Sequence, residues 1–167
     1  MKQILIITLI ALSSITLKAQ EMNTINTRVT QLFVATDQRD WQQVEDIFAA
    51  KVVIDYSSMN GNSAVELTPN QIITAWKSIL PGFESTHHQL GNFITEVNGE
   101  TATVFCYGTA THYLSDEKGN IWTVVGSYNF VLKKLNDQWK ITSMKFNYKY
   151  QDGNTSLPEK AIKNATK

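Results

Sequence analysis

The sequence predicts an α+β fold: three N-terminal helices packed on a strongly curved antiparallel sheet, a cone-shaped barrel with one open end. Two observations carry this. From Glu21 to Leu80 apolar residues recur mostly at helical spacing, broken by one β-branched run. From Thr86 to Tyr150 the spacing changes to strand-like alternation, with turn signals at Asn98-Gly99, Asp116 to Asn120 and Asn136-Asp137. Helices first and hairpin-linked strands afterwards define α+β rather than α/β. Long strands must curve to cover three helices, and the cone so made has an open end.

The chain has 167 residues, enough for one domain with a real core, and carries 15 basic and 15 acidic side chains. Zero net charge argues against nucleic acid or an anionic membrane as a partner. Residues 1–19 read as a signal peptide: Lys2 supplies the positive start, Ile4 to Leu12 the apolar run, and Ala19 the cleavage position. Export, to the periplasm or outside the cell, is expected, with no membrane attachment after cleavage. The domain then spans residues 20–150, and residues 151–167, polar and Lys-rich, are expected to form a flexible tail. Cys106 stands alone, so no internal disulfide is available, and its apolar neighbours make it a buried strand residue.

Element by element, Ile25, Val29, Leu32 and Phe33 form one helical stripe. Asp40 is placed to cap a second helix carrying Trp41, Val44 and Phe48. Lys51 to Ser58 reads as a strand and Ala64 to Leu67 as a short return strand. Thr68-Pro69-Asn70-Gln71 predicts a capping box opening the third helix, with Ile72, Ile73 and Trp76 inward. Four strands follow, and the last two are apolar on both faces. A sheet-to-sheet homodimer would cover the outer one.

All three histidines lie in the first long hairpin: His87 and His88 where it begins, His112 where it ends. Antiparallel pairing brings the two ends together, and imidazoles facing one cavity can move protons. His112 shares a face with Ala110, Gly108 and Cys106, whose small side chains leave space beneath them. His88 shares its face with Leu90, Asn92 and Ile94, and His87 the other with Gln89, Gly91 and Phe93; His88 is taken as the partner of His112, and His87 as structural or solvent-facing. A strand histidine is more often a hydrogen-bonded structural residue, and only convergence lifts this pair above that. Tyr56 is expected inward and Asp55 outward, because a buried phenol needs one hydrogen bond and a carboxylate several. Asp37 either caps a helix or holds an imidazole by its Nδ1 proton. A metal site of two histidines and a carboxylate lacks the usual close ligand spacing, and no serine triad or phosphate loop is present.

The order of elements, and the runs ATDQRDW, VVIDY, THHQLGNFITEVNGETATV and TATHYL, resemble the nuclear transport factor 2-like superfamily. Within it the likeness is to the SnoaL-like branch and its scytalone dehydratase-type members. The resemblance covers Asn23 to Tyr150. It implies a pocket aspartate at Asp37, a pocket tyrosine at Tyr56 and a histidine pair at His88 and His112. It also implies loss of water β to a carbonyl in a hydrophobic pocket, without metal or organic cofactor. His112 is then the expected base, Asp37 its orienter, and His88 and Tyr56 polar partners; Asn92, Trp76 and Tyr128 are the expected substrate contacts. Two positions depart from the family pattern. Thr36 stands where a second pocket tyrosine is usual, and Ser127, Tyr128 and Asn129 compete for the place of a pocket asparagine. The expected partner is a small hydrophobic carbonyl compound, converted by a lyase or isomerase; the alternative is a non-catalytic apolar-ligand pocket or a dimeric interaction domain.

Overall fold

The apolar stripe Ile25, Val29, Leu32 and Phe33 is buried along α1 (Lys2–Gln38), as its spacing predicts. The structure, a computed structural model, describes residues 2–166, with side chains from Lys18 onward. The expected signal peptide over residues 1–19 therefore falls outside the fully described residues, except for its last two. No helix among the described residues is long and apolar enough to cross a membrane.

Helix α1 ends sharply. Asp40 N–H reaches Ala35 O at 2.9 Å and Arg39 N–H reaches Thr36 O at 3.1 Å, with Arg39 in the left-handed region at φ 59°. This paired closure normally uses glycine. Arg39 also donates from its guanidinium to Phe83 O at 2.6 Å, which ties the helix end to the turn before the sheet. Asp37 is thereby fixed in the last turn. Asp40 caps α2 (Trp41–Ile47) by accepting Gln43 N–H at 3.1 Å.

Strand β1 (Phe48–Asp55) stops three residues before the predicted end at Ser58. Asp55 Oδ1 accepts the Ser57 N–H at 2.9 Å, which turns the chain into the short helix α3 (Ser57–Asn60). The return strand β2 (Val65–Leu67) and α4 (Pro69–Lys77) follow as expected, with the Thr68–Gln71 capping box formed in both directions.

The sheet continues with β3 (Ser85–Asn98), β4 (Thr101–Tyr113), β5 (Ile121–Leu135) and β6 (Gln138–Gly153). Its order is β2-β1-β6-β5-β4-β3. All neighbours are antiparallel except β1 and β6, which run parallel, a departure from the purely antiparallel sheet expected. The β3–β4 turn is one residue later than Asn98-Gly99: Asn98 pairs with Thr101, and Gly99, at φ 58°, opens a two-residue loop with Glu100. At the β5–β6 turn both Asn136 and Asp137 have positive φ, as a tight hairpin turn between paired Leu135 and Gln138 requires.

The tail expected to be flexible from Gln151 is ordered. Strand β6 pairs through to Gly153, and α5 (Leu157–Ala165) buries Leu157 and Ala161 completely. Two apolar positions four apart in a polar segment are a weak signal, and packing against Gly82 supplies what local pattern does not. The inner face of β5 carries buried Trp122, Val124, Tyr128, Phe130 and Leu132, and Cys106 is buried on β4. On the outer face Ile94, Tyr107, Ile121 and Tyr150 are exposed.

Candidate active site

A cavity of about 450 Å³ opens at one end of the cone, between α1, α3, α4 and the inner faces of β3 to β6. Phe33, Thr36, Tyr56, Trp76, His88, His112, Trp122 and Tyr128 are in its wall, and among the described residues no Asp, Glu, Lys or Arg is. Glycines make the room. A Cβ at Gly108 would lie 2.4 Å from the Tyr128 ring, and one at Gly126 would lie 2.5 Å from the Phe146 ring. Both aromatic side chains occupy space that any larger residue would take.

His88 and His112 converge as alternation predicts. His88 faces Ala110 across the β3–β4 ladder and Thr86 faces His112, so the imidazoles are diagonal neighbours with centroids 6.1 Å apart. The orienting partner is the correction. Asp37 serves His88, not His112: its Oδ1 meets His88 Nδ1 at 2.7 Å and accepts Thr86 Oγ1–H at 2.8 Å, and its Oδ2 accepts the His88 backbone N–H at 2.7 Å. The reason is topological. Helix α1 packs on the edge strand β3, so a carboxylate at its end reaches Thr86 and His88 before it reaches β4.

Burial opposes ionisation of Asp37, but the hydrogen bond and charge of His88, with the Thr86 hydroxyl, hold its carboxyl below the usual value. An ionised carboxylate only accepts, so His88 Nδ1 carries a proton toward it, and Nε2 is the atom left for the cavity. His112 is different. Its Nδ1 lies 3.3 Å from Trp122 O, an acceptor only, and its ring packs on Phe83 at 4.8 Å and Trp122 at 4.5 Å. Burial, with the nearby His88, lowers its pKa to about 4. His112 is therefore a neutral imidazole whose Nε2 is a hydrogen-bond acceptor.

Tyr56 and Tyr128 supply donors. Burial pushes the Tyr56 phenol up to about 12 against the opposing effect of Trp76, and pushes Tyr128 well above its ordinary value, so both keep their protons. Tyr56 lies inward as expected, whereas Asp55 pairs with Lys145 at 3.3 Å. Among Ser127, Tyr128 and Asn129, only Tyr128 reaches the cavity; Ser127 Oγ lies 3.4 Å from Asn147 Nδ2. Thr36 is in the wall but spends its hydroxyl proton on Leu32 O at 2.7 Å. Cys106 is inert, its thiol pushed up to about 12 by burial.

Asn92 is a second correction, because it does not line the cavity. A bulge between Gly91 and Ile94 inserts an extra residue, with Asn92 at φ 56°, and switches the face of everything beyond it. Ile94, expected beside His88, is 62% exposed. Trp76 and Tyr128 do line the cavity, as expected. Sequence reasoning missed Thr86, Trp122 and the mouth residues Met59 and Asn60. Thr86 immediately precedes the histidine pair, and Trp122 is the cross-strand partner of His112. Among the described residues no three of His, Cys, Asp and Glu gather as metal ligands.

The fold belongs to a recognised class. Residues 18–145 match the model of the SnoaL-like domain, and the chain belongs to that family, with the nuclear transport factor 2-like fold. No curated protein matches the sequence. Among solved structures, the Kfla4162 protein of Kribbella flavida is similar at 19% identity, over 89% of this chain and 99% of that one, with a TM-score of 0.75. A protein assigned as a scytalone dehydratase from Novosphingobium aromaticivorans DSM 12444 is similar at 17% identity, over 82% and 89% of the two chains, with a TM-score of 0.68. The hexachlorocyclohexane dehydrochlorinase LinA-type3 of Novosphingobium barchaimii LL02 is similar at 10% identity, over 84% and 94%, with a TM-score of 0.69.

Proposed function

We propose that the chain is an exported lyase or isomerase that removes a proton next to a carbonyl and expels a β-hydroxyl as water. The observation that carries this is the 2.7 Å contact between His88 Nδ1 and Asp37 Oδ1 at the wall of a cavity lined, among the described residues, by no Asp, Glu, Lys or Arg. Similarity to proteins named as a dehydratase and a dehydrochlorinase, both eliminating enzymes by name, supports the reaction type.

The chemistry follows from the donors and acceptors. His88 Nε2 takes the α proton and the C–H electron pair delocalises onto the carbonyl oxygen as an enolate, which then collapses to the new C=C bond as the β C–O bond breaks. The same Nε2–H then returns its proton to the departing hydroxide. Tyr56 and Tyr128 donate to the carbonyl oxygen as enolate charge develops, which stabilises the transition state more than the neutral ketone. His112 accepts from a substrate hydroxyl. Where no β-leaving group exists, return of the proton elsewhere on the enolate gives isomerisation instead.

A panel of neutral cyclic β-hydroxy ketones, followed by enone absorbance, tests the reading. Turnover that disappears in His88→Ala supports it. Tight binding across the panel with no water loss would instead establish a non-catalytic pocket, a reading favoured by Thr36, whose proton is unavailable to a ligand. The exposed Ile94, Tyr107, Ile121 and Tyr150 further support a homodimer through the outer sheet face. Native mass spectrometry of the exported protein should give twice the mass of a chain beginning at Gln20. A monomer at micromolar concentration would remove the dimer, and a retained leader would remove the cleavage.

A further inference from the structure

Helix α5 lies beyond the residues that match the family domain and contributes no side chain to the cavity wall. Its contacts nevertheless converge on one catalytic-site neighbour. On one side it sits directly on the turn before β3. A Cβ at Gly82 would lie 1.8 Å from Ala161 O, so only glycine permits this approach, and Asn164 Nδ2 lies 3.4 Å from Gly82 O. The next residue, Phe83, is buried with its ring 4.8 Å from His112.

On the other side, the segment leading into α5 is bonded to the start of β5. Asn154 N–H donates to Ile121 O at 2.7 Å, and Gly153 pairs with Trp122. Gln151 Oε1 accepts the Trp122 indole N–H at 2.9 Å. The β4–β5 loop is held as well: Lys160 pairs with Asp116, and Asn154 Nδ2 donates to Gly119 O at 2.8 Å. Trp122 lies 4.5 Å from the His112 ring and supplies its carbonyl to Nδ1.

We infer that the C-terminal segment is a clamp for His112: α5 fixes Gly82, the Gly153–Asn154 segment leading into it fixes the Ile121–Trp122 backbone, and together they hold the Phe83 and Trp122 rings that seat the imidazole and keep its Nε2 toward the cavity. Leu157, Ala161, Lys160 and Asn164 are positioning residues that act through those two rings. The consequence for turnover rests on the proposed role of His112 as a substrate acceptor. The geometry itself does not, and it can be read without any substrate.

The test is NMR of the imidazole nitrogens in the full-length chain. Lys160→Pro removes the Lys160 N–H that bonds Ser156 O and breaks α5 within its first turns. The groups that face His112 are His88, Asp37 and the Trp122 carbonyl, and none of them is altered. As the rings loosen and water enters, the His112 titration should rise by about one unit or more, with loss of its single Nδ1–H tautomer. His88, held by Asp37, should keep its signals. The double variant Lys160→Ala/Asn164→Ala should produce a smaller shift in the same direction, and it decides the matter if the proline variant does not fold. Loss of hydrogen-exchange protection in α5 with His112 unmoved would overturn the clamp. So would equal movement of both imidazoles, which would signify general loosening.

Discussion

Replacing His88 with Ala should lower kcat on a β-hydroxy ketone by about 10²–10⁴-fold, the range contributed by a positioned general base. Asp37→Asn should lower it by about 10²-fold or more, with little change in fold. The carboxylate accepts three hydrogen bonds: Thr86 Oγ1 and His88 Nδ1 on one oxygen, and the His88 backbone N–H on the other. An amide has only one accepting oxygen. If that oxygen stays with the backbone N–H, the NH₂ group faces Nδ1, drives the imidazole proton to Nε2 and removes the base. If it faces Nδ1, the NH₂ group meets the backbone N–H, and a buried donor is left unpaired. Either outcome damages the pair. His112→Phe should act differently, raising KM more than it lowers kcat, because it removes an acceptor for substrate rather than the base. Equal kcat in wild type and Asp37→Asn would leave the pair without a catalytic role.

Stability should fall as the pH drops from about 6.5 to about 4, and His112 should be responsible for much of the slope. Its pKa is about 4 in the folded chain. In the unfolded chain it returns to roughly 6.5. Between these values the unfolded state binds a proton that the folded state refuses, so the stability from a neutral, buried imidazole is fully present above the window and lost on descending through it. The slope for one such group approaches about 1.4 kcal/mol per pH unit. Asp37 acts lower on the scale. Its folded pKa lies below its ordinary value of 3.8, so its contribution is present above that value and lost beneath it. Urea midpoints at pH 4.5 and 7 in wild type and His112→Gln separate the two. The variant should flatten the curve within the window, and an unchanged curve would show that His112 does not remain neutral there.

The two results test different histidines, because Asp37 is bonded to His88 while His112 packs on Phe83 and Trp122. Alternation along the hairpin sorts the histidines into sets on each strand, and the register puts the sets of His88 and His112 on one face. It could not say which of them the carboxylate meets. That choice depends on α1 packing against the edge strand, a contact between residues 51 apart for Asp37 and His88. The Asn92 assignment failed for a related reason. A bulge is one inserted residue that reverses a period-two pattern, and Asn92 at positive φ leaves no mark in hydrophobic spacing. The polar C-terminal segment reads as a flexible tail in sequence because its two buried residues, Leu157 and Ala161, gain value only from the tertiary packing of α5 beside Gly82.

By itself the sequence determined the α+β class, the capping of α2 and α4, the long strands and the inward faces of α1 and β5, because these depend on local propensity and short-range period. Tertiary structure alone decided the pairing of Asp37 with His88, the neutrality of His112, the choice of Tyr128 over Ser127 and Asn129, and the seating of α5. Each of those is a matter of burial or of a hydrogen bond between segments distant in the chain. The free energy of such contacts depends on which surfaces the fold brings together and removes from water, and that information exists only once the cone has closed.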